Sequence, residues 1–259
     1  MSIVLYEHPL SPYAQKVKIA LLEKGIPFET RMPNFFGGDP DFAGANPRLE
    51  VPTLIDGDVA VFDSTIILEY LEDRWPTPPL LPTSPADRAR ARMIEELCDT
   101  YYEAINWAIA EVRVFQRATG ELADTLMARA TAQTNGANAW LDRQLAGRPY
   151  FGGTTFGWAD LAVVPAVGAA ARLENAPAVG SALAAWLERV MTRPSVAAVF
   201  EAAQASMTGF EMLPQLVQSG QFKREYRDHR LEWMLRSGGV DIVLDGMRSG
   251  TIRLSHELV

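Results

Sequence analysis

A serine at the start of a predicted helix is the residue in this sequence best placed for chemistry. Ser11 precedes Pro12, which suits the first helical position because proline has no amide hydrogen to leave unpaired there. A serine in this position caps the helix, and its hydroxyl can also face an anion held at the partly positive helix start. The sequence contains no Gly-x-Ser-x-Gly motif and no histidine obviously paired with Ser11, so we interpret the hydroxyl as a hydrogen-bond donor and not as a nucleophile.

Two other polar positions fit helix starts. Asp63 and Ser64 lie just before a second predicted helix, where both can cap it. Asp160 falls three residues after Gly157, which is the capping-box position, so we predict a structural role for this carboxylate and not a catalytic one.

Composition and charge exclude several classes of function. The chain has 259 residues and a formal net charge of −8, which argues against broad attraction to nucleic acid or to anionic membranes. No signal-peptide pattern and no apolar run of ~20 residues is present, so we predict a cytoplasmic protein without membrane association. The single cysteine, Cys98, excludes an internal disulfide, and the wide spacing of His8, His229 and His256 gives a metal site little support.

The first 76 residues predict an α/β unit. A short strand, Ile3 to Tyr6, precedes the helix that starts at Pro12, and a second strand over 27–31 is expected to pair with it in parallel. Asp56-Gly57-Asp58 between two apolar runs predicts a hairpin, and a helix follows from Ser64. An irregular stretch over 33–47 leaves room only for a short helical turn around Phe42.

The remainder predicts helices. Four prolines in the nine residues from Thr77 indicate a linker, and helical spacing then runs from about Asp87 to Gln116 and from Glu121 to Ala146. The nearly uncharged segment from Trp158 to Ala171 predicts a buried helix, and two more helices fit over 179–191 and 194–205. The residues of the second long helix predicted to point inward are Leu122, Leu126, Ala130, Ala137, Trp140 and Leu141.

The C-terminal stretch forms a separate segment. Phe222, Tyr226, His229 and Trp233 fall on one face of a charged segment if it is helical, so we predict docked structure and not a free tail. The resulting boundaries are 1–77 for the α/β domain, 78–86 for the linker, 87–206 for the all-helical domain and 207–259 for the extension.

Four motifs stand in a recognisable order and spacing: Ser11 to Leu21, Asn46 to Leu54, Asp63 to Leu71, and Phe156 to Asp160. Together they resemble the soluble glutathione transferases over roughly residues 1–205. That resemblance implies a thioredoxin-like α/β N-terminal domain followed by an all-α helical bundle, in a serine-type, bacterial-like member with a C-terminal extension. The cysteines that thioredoxin-like redox proteins carry at positions 11 and 14 are here Ser11 and Ala14, so a disulfide-exchange role lacks its nucleophile.

The resemblance also implies a site for glutathione as co-substrate, with no metal. Ser11 would be the catalytic residue, stabilising the thiolate of glutathione, with Tyr13 beside it. Pro52 matches a cis proline that exposes the backbone of Val51 to the ligand. Asp63 and Ser64 match the pair that holds the γ-glutamyl group.

The sequence departs from the family pattern beside the Val51-Pro52 pair. Related sequences often have lysine or glutamine where Glu50 stands, and a carboxylate there repels the glycyl carboxylate of glutathione unless Arg48 compensates. We therefore include both Arg48 and Glu50 among the predicted glutathione-binding residues.

The second substrate, a small hydrophobic electrophile, is expected between the domains against Tyr13, Tyr101, Tyr102 and Trp107, although the helical periodicity does not choose between the adjacent tyrosines. The leading hypothesis is a glutathione S-transferase that adds the thiolate to an electrophile or displaces a leaving group, and the family implies a homodimer. A glutathione-dependent lyase, isomerase or peroxidase remains open, as does a non-catalytic binding or interaction protein on the same scaffold.

Overall fold

The computed structural model describes residues 3–34, 39–224, 226 and 228–252. Its N-terminal part is a four-stranded mixed sheet in the order β2-β1-β3-β4, which confirms the predicted α/β unit. The strands are β1 (Ile3–Tyr6), β2 (Phe28–Arg31), β3 (Thr53–Asp56) and β4 (Val59–Phe62). Strands β1 and β2 pair in parallel, and β3 and β4 form the predicted hairpin.

The strand register brings three chain segments to one edge of the sheet. Tyr6 at the end of β1 pairs with Thr53 at the start of β3, and Thr53 pairs with Phe62 at the end of β4. The chain therefore leaves β1, enters β3 and leaves β4 at the same edge. The segments around Ser11, Pro52 and Asp63 all follow or precede this edge, so they are neighbours in space despite their separation in sequence.

Three helices of the N-terminal domain pack with the sheet. Leu5 and Leu54 of the sheet and Ile67 of α3 are fully buried in one core cluster with the apolar face of α1, and the short helix α2 carries Phe42, whose ring lies 5.0 Å from that of Tyr6. These helices are α1 (Pro12–Glu23), α2 (Pro40–Ala45) and α3 (Ser64–Arg74).

The second domain is built of helices joined by loops up to Ala205. Its central helix α7 is almost entirely buried, as its lack of charge predicts, and Asp160 lies at 0% exposure at its start. The carboxylate of Asp160 accepts hydrogen bonds from the amides of Phe151 and Gly157 and from the indole of Trp186, which confirms its structural role. The helices are α4 (Pro85–Leu97), α5 (Glu103–Arg113), α6 (Gly120–Leu145), α7 (Trp158–Arg172), α8 (Ala182–Met191) and α9 (Pro194–Ala205).

The segment with helical spacing from about Asp87 to Gln116 is helical as far as Arg113, but it contains a π-helical turn that the spacing did not predict. A π-helical turn, Cys98–Tyr102, separates α4 from α5. A π turn inserts an extra residue into the helix and rotates everything after it, which hydrophobic spacing alone does not reveal. The turn directs Asp99 toward α1, where its carboxylate contacts Lys16, while Tyr102 is buried.

Two residues predicted to point inward from α6 do not. Leu122 is 60% exposed and Leu126 is 38% exposed, whereas Ala137 and Leu141 are fully buried. Helix α6 has 26 residues and is therefore about 39 Å long, whereas the central helix α7 has only 15 residues and is about 22 Å long. The first turns of α6 thus extend past the domain core, and periodicity does not report where a neighbouring helix ends.

A buried ion-pair network joins the two domains. Lys16 of α1, which is 1% exposed, contacts the carboxylates of Glu95 and Asp99, at 2.6 Å from Glu95. The two oxygens of Glu95 also accept hydrogen bonds from the Thr65 hydroxyl at 2.8 Å and the Trp158 indole at 2.5 Å. One carboxylate therefore connects α1, α3, α4 and α7 and fixes how the domains face each other.

The C-terminal extension has helical pieces and one docked segment. It contains α10 (Leu213–Gln218), α11 (His229–Arg236) and α12 (Val240–Ser249), but the segment from 219 to 228 is not helical where the structure describes it. Phe222 and Tyr226 pack on the helical domain, whereas Trp233 of α11 is 67% exposed. The prediction that these aromatic residues share one helix face is therefore wrong. His256 lies outside the described residues.

None of the helices in the described part of the chain is both long enough and apolar enough to cross a membrane.

Candidate glutathione site

The side chain of Ser11 caps α1 by acting as a hydrogen-bond acceptor. Its Oγ accepts a hydrogen bond from the amide of Ala14 at 3.3 Å, and its own amide donates to the carbonyl of His8. Gln15 holds the same loop by donating to the carbonyl of Pro9 at 2.7 Å. A hydroxyl has one donor and two acceptor sites, so a capping serine can still donate to an anion above the helix start. The half-buried Ser11 hydroxyl is therefore oriented by the cap, and it donates to no acceptor within the described residues.

Tyr13 is placed beside this helix start, but its hydroxyl is occupied. It donates to the carbonyl of Asp99 at 2.8 Å and so links α1 to the π turn. Burial, together with the negative charges of Glu103, Asp99 and Asp63, raises the pKa of Tyr13. The phenol therefore stays neutral and can offer its ring, but not its proton, to a ligand.

Val51 presents a free main chain at the same edge of the sheet. The peptide bond between Val51 and Pro52 is cis. Among the described residues, neither the amide nor the carbonyl of Val51 has a hydrogen-bond partner. The adjoining loop is held by Asn46, which donates to the carbonyl of Glu50 and the hydroxyl of Thr53. An extended peptide lying along this edge can pair with both groups of Val51.

Asp63 and Ser64 form the start of α3 and complete the edge. Asp63 adopts a positive φ of 72° and its Oδ1 accepts hydrogen bonds from the amides of Thr65 and Ile66. The hydroxyl of the buried Ser64 has no partner among the described residues. This helix start thus offers an exposed carboxylate for a cation and an amide and hydroxyl for an anion, which is the pairing that an α-amino acid carries.

Arg48 compensates the unusual carboxylate of Glu50. The guanidinium contacts both oxygens of Glu50, with Nε to Oε2 at 2.8 Å and Nη2 to Oε1 at 3.2 Å. Because this bidentate pair is partly exposed, it neutralises Glu50 but contributes little to stability. The repulsion expected for the glycyl carboxylate of glutathione is therefore reduced by a cation on the same loop.

The structure distinguishes among the residues predicted for the second-substrate pocket. Tyr102 is fully buried and donates to Asn138 inside the helical domain, so it does not reach the cleft and its assignment is corrected. Tyr101 is half-buried against the core clusters of the helical domain. Trp107 is half-buried beneath the C-terminal extension, with Arg224 at 3.7 Å from its ring centroid. The periodicity of adjacent helical residues is changed by the π turn, which explains why sequence did not separate these aromatics.

Two acidic residues near Tyr13 were missed by sequence reasoning. Burial raises the pKa of Asp99 to about 6, against the opposing effect of Lys16. Burial and the nearby charge of Asp99 raise the pKa of Glu103 to about 7, with Arg224 acting in the opposite direction. The surroundings of Tyr13 therefore include two carboxyl groups whose pKa values burial raises toward neutral pH. Only the contacts across the domains reveal them, because Tyr13 and Asp99 are 86 positions apart.

Replacing Glu103 by glutamine is expected to stabilise the protein at pH 8 but not at pH 4. Glu103 has a folded pKa above its unfolded value, so its contribution to stability is full at low pH and is lost as pH rises toward 7. Glutamine avoids the cost of burying the charge, and we expect a gain of about 1 kcal/mol at pH 8.

Urea denaturation at the two pH values measures this effect. The matched control is Glu121→Gln, which removes the same charge from an exposed position on α6. A gain that is equal at both pH values, or equal in the two variants, contradicts the assignment.

Within the described ranges, no group of three or more histidine, cysteine, aspartate or glutamate residues could hold a metal ion. Cys98 is buried, and burial raises the pKa of its thiol above the usual range, so it is a poor nucleophile.

Comparisons with known proteins identify the family of this chain. Residues 5–79 match the glutathione S-transferase N-terminal domain and residues 124–189 match the glutathione S-transferase C-terminal domain. The stringent starvation protein A homolog of Haemophilus influenzae is 31% identical over 79% of this chain and 93% of its own. Glutathione S-transferase U22 of Arabidopsis thaliana is 32% identical over 62% of this chain and 70% of its own. A glutathione S-transferase structure from Methylobacterium radiotolerans, in complex with glutathione sulfonate, has a TM-score of 0.60 and 31% identity to this chain. The match covers 77% of this chain and 94% of that one.

The chain therefore belongs to the glutathione transferase family, with a thioredoxin-like domain followed by a helical domain. Other stringent starvation protein A homologs, such as the one from Coxiella burnetii, are matched over less than half of their length, 38 to 44%. Some of the similar proteins are thus named stringent starvation protein A homologs and others glutathione S-transferases.

Proposed function

We propose that this protein is a glutathione S-transferase of the serine type, in which Ser11 stabilises the glutathione thiolate. The observation that carries the proposal is made at one edge of the sheet. There the Ser11 hydroxyl, which donates to no acceptor in the described part of the chain, and the Val51 main chain, which has no hydrogen-bond partner in that part, lie near the helix start at Asp63 and Ser64. These groups match the thiol, the cysteinyl backbone and the γ-glutamyl end of glutathione. The family membership and the similarity to a structure in complex with glutathione sulfonate support the same ligand.

The proposed chemistry needs only a stabilised thiolate and a nearby electrophile. A free thiol with a pKa near ~8.5 is mostly protonated at neutral pH. The Ser11 hydroxyl and the N-terminus of α1 favour the anion, and the thiol proton leaves to water. The sulfur then forms a bond to an electrophilic carbon, either by addition or with departure of a leaving group such as halide. Ser11 donates a hydrogen bond throughout and forms no covalent bond.

Calorimetric titration with glutathione tests the proposed binding site. We expect a dissociation constant in the millimolar range or below, weakened at least fivefold by Ser64→Ala. Because the Ser64 hydroxyl has no partner within the described structure, its removal costs the fold little. Ser219→Ala, which removes an exposed hydroxyl from the end of α10, is the control and should bind as the wild type does.

A second candidate is a non-catalytic interaction protein, favoured by two observations. Several relatives are named for stringent starvation and not for transferase activity. Helices α11 and α12 also expose apolar side chains, including Trp233, Ile242 and Met247. Absence of detectable binding at millimolar glutathione would favour this candidate and reject the first.

We further propose a homodimer in the cytoplasm. Ile66, Met93 and Leu122 are each more than half exposed on α3, α4 and α6, which supports association through these helices. A reaction that uses reduced glutathione belongs in a reducing compartment. Analytical ultracentrifugation reports the oligomeric state directly.

A further inference from the structure

A short stretch of the C-terminal extension is fastened to helix α5 by charge and by aromatic contacts. We call its described residues Phe222, Lys223, Arg224 and Tyr226 the strap. The ring of Phe222 stacks on Phe115 with centroids 6.0 Å apart, and Tyr226 meets Trp107 edge-on at 5.9 Å. The strap therefore covers the second half of α5 and Phe115 just beyond its end.

Arg224 is the central contact of the strap. Its guanidinium carbon lies 3.7 Å from the ring centroids of both Trp107 and Phe115, and its Nε is 2.5 Å from Oε1 of Glu111. A cation enclosed by two rings and a carboxylate, and only 10% exposed, is screened little by salt.

Glu111 holds a second arginine at the same time. Its other oxygen, Oε2, is 2.5 Å from Nη1 of Arg117, which in turn donates to the Tyr226 hydroxyl at 3.2 Å. Burial raises the pKa of Glu111, but the hydrogen bonds from Arg224 and Arg117 outweigh it and lower the pKa overall. Glu111 thus stays ionised and holds Arg224 directly and Tyr226 through Arg117.

Glu103 of α5 relates the position of the strap to that of Tyr13. Glu103, Trp107 and Glu111 are spaced four apart, so they lie along one face of α5. Glu103 is close enough to Tyr13 and to Arg224 to affect the electrostatics of one and be affected by the other. The strap over Trp107 therefore begins one helical turn after Glu103, and the Tyr13 hydroxyl donates to the carbonyl of Asp99, four residues before Glu103.

Trp107 gives a second sign that a ligand belongs here. Its indole nitrogen is buried and has no hydrogen-bond partner in the described part of the chain. A buried donor without an acceptor is unfavourable, and a ligand lying between Tyr13 and the strap can supply one.

We propose that Arg224, locked by Glu111, forms the outer wall of the second-substrate cleft and limits the size of the group attached to the glutathione sulfur. The inference rests on the proposed glutathione site. With the lock closed, we expect only a small substituent such as methyl to be accommodated beside Tyr13 and Trp107. With the lock open, the strap moves away and a larger substituent is accommodated.

Binding of two glutathione conjugates tests the wall without requiring catalysis. S-methylglutathione and S-(1-naphthylmethyl)glutathione are titrated calorimetrically into the full-length protein. For Arg224→Ala and for Glu111→Gln we expect at least fivefold tighter binding of the naphthylmethyl conjugate, with the methyl conjugate unchanged. The matched controls are Arg113→Ala and Glu174→Gln, which break a more exposed arginine–glutamate pair at the other side of α5.

Limited trypsin digestion reports the state of the strap independently. Arg224 is protected in the wild type because its side chain is enclosed, so cleavage after Lys223 or Arg224 should accelerate at least tenfold in Glu111→Gln and remain unchanged in Glu174→Gln. Circular dichroism checks that each variant is folded.

The outcomes separate the two proposals. Accelerated cleavage together with selective gain for the bulky conjugate supports the wall. Unchanged cleavage shows that Glu111 is not the lock, and accelerated cleavage without a change in selectivity shows that the strap does not border the cleft; either result overturns the inference alone. Failure of the wild type to bind glutathione or either conjugate rejects the proposed function and the inference with it.

Discussion

Replacement of Ser11 by alanine is expected to lower kcat/KM for glutathione conjugation by about 10- to 100-fold. The hydroxyl donates one charge-assisted hydrogen bond to sulfur, which contributes roughly 1.5 to 3 kcal/mol. The same loss raises the pKa of the bound thiol by about one to two units. The measurements are the rate with a chloronitrobenzene acceptor and the ultraviolet absorbance of the bound thiolate as a function of pH.

The control for this variant must remove a helix cap without touching the site. Ser181 caps α8 through a hydrogen bond from the amide of Ala184 at 3.1 Å, much as Ser11 caps α1. Both alanine variants lose about 1 kcal/mol of stability with the cap. Only Ser11→Ala should change the thiol pKa, and an unchanged pKa and rate would remove Ser11 from the mechanism.

Replacement of Glu95 by alanine is expected to destabilise the protein by about 3 to 5 kcal/mol. The change leaves the buried ammonium of Lys16 with only one of its two carboxylate partners and deprives the Thr65 hydroxyl and the Trp158 indole of their acceptor. Urea denaturation measures the loss.

Glutathione affinity should fall with stability in this variant, because the helix starts of α1 and α3 are both held by Glu95. The control Glu69→Gln breaks the partly exposed pair between Glu69 and Arg92, which also joins α3 to α4, and is expected to cost less than 1 kcal/mol. A loss below 1 kcal/mol in Glu95→Ala would show that the network does not hold the domains together.

The features that sequence predicted are those determined within a few residues. Ser11 caps its own helix, Gly57 turns its own hairpin with a φ of 65°, and Asp160 accepts from the amide three residues before it. In each case the partner is encoded next to the residue, so a local pattern is enough. The family resemblance then supplied the ligand that connects these local features.

The features that sequence missed depend on distant partners. Lys16 and Glu95 are 79 positions apart, and Arg224 and Glu111 are 113 apart. The π turn at Cys98–Tyr102 changes which tyrosine points inward, and no local composition marks it. Tyr102, which was predicted for the second-substrate pocket, is for this reason buried inside the helical domain.

The shared sheet edge has a consequence for how such a protein can diversify. The proposed glutathione site is made by segments within the first 64 residues, whereas the proposed acceptor wall is made by residues after position 99. Substitutions among the acceptor-wall residues can therefore change which electrophile reacts with glutathione, or convert the protein to a non-catalytic interaction partner, without disturbing the proposed glutathione site. Under the proposed function, one glutathione site is kept unchanged while residues of the helical domain and the extension set which electrophile can react.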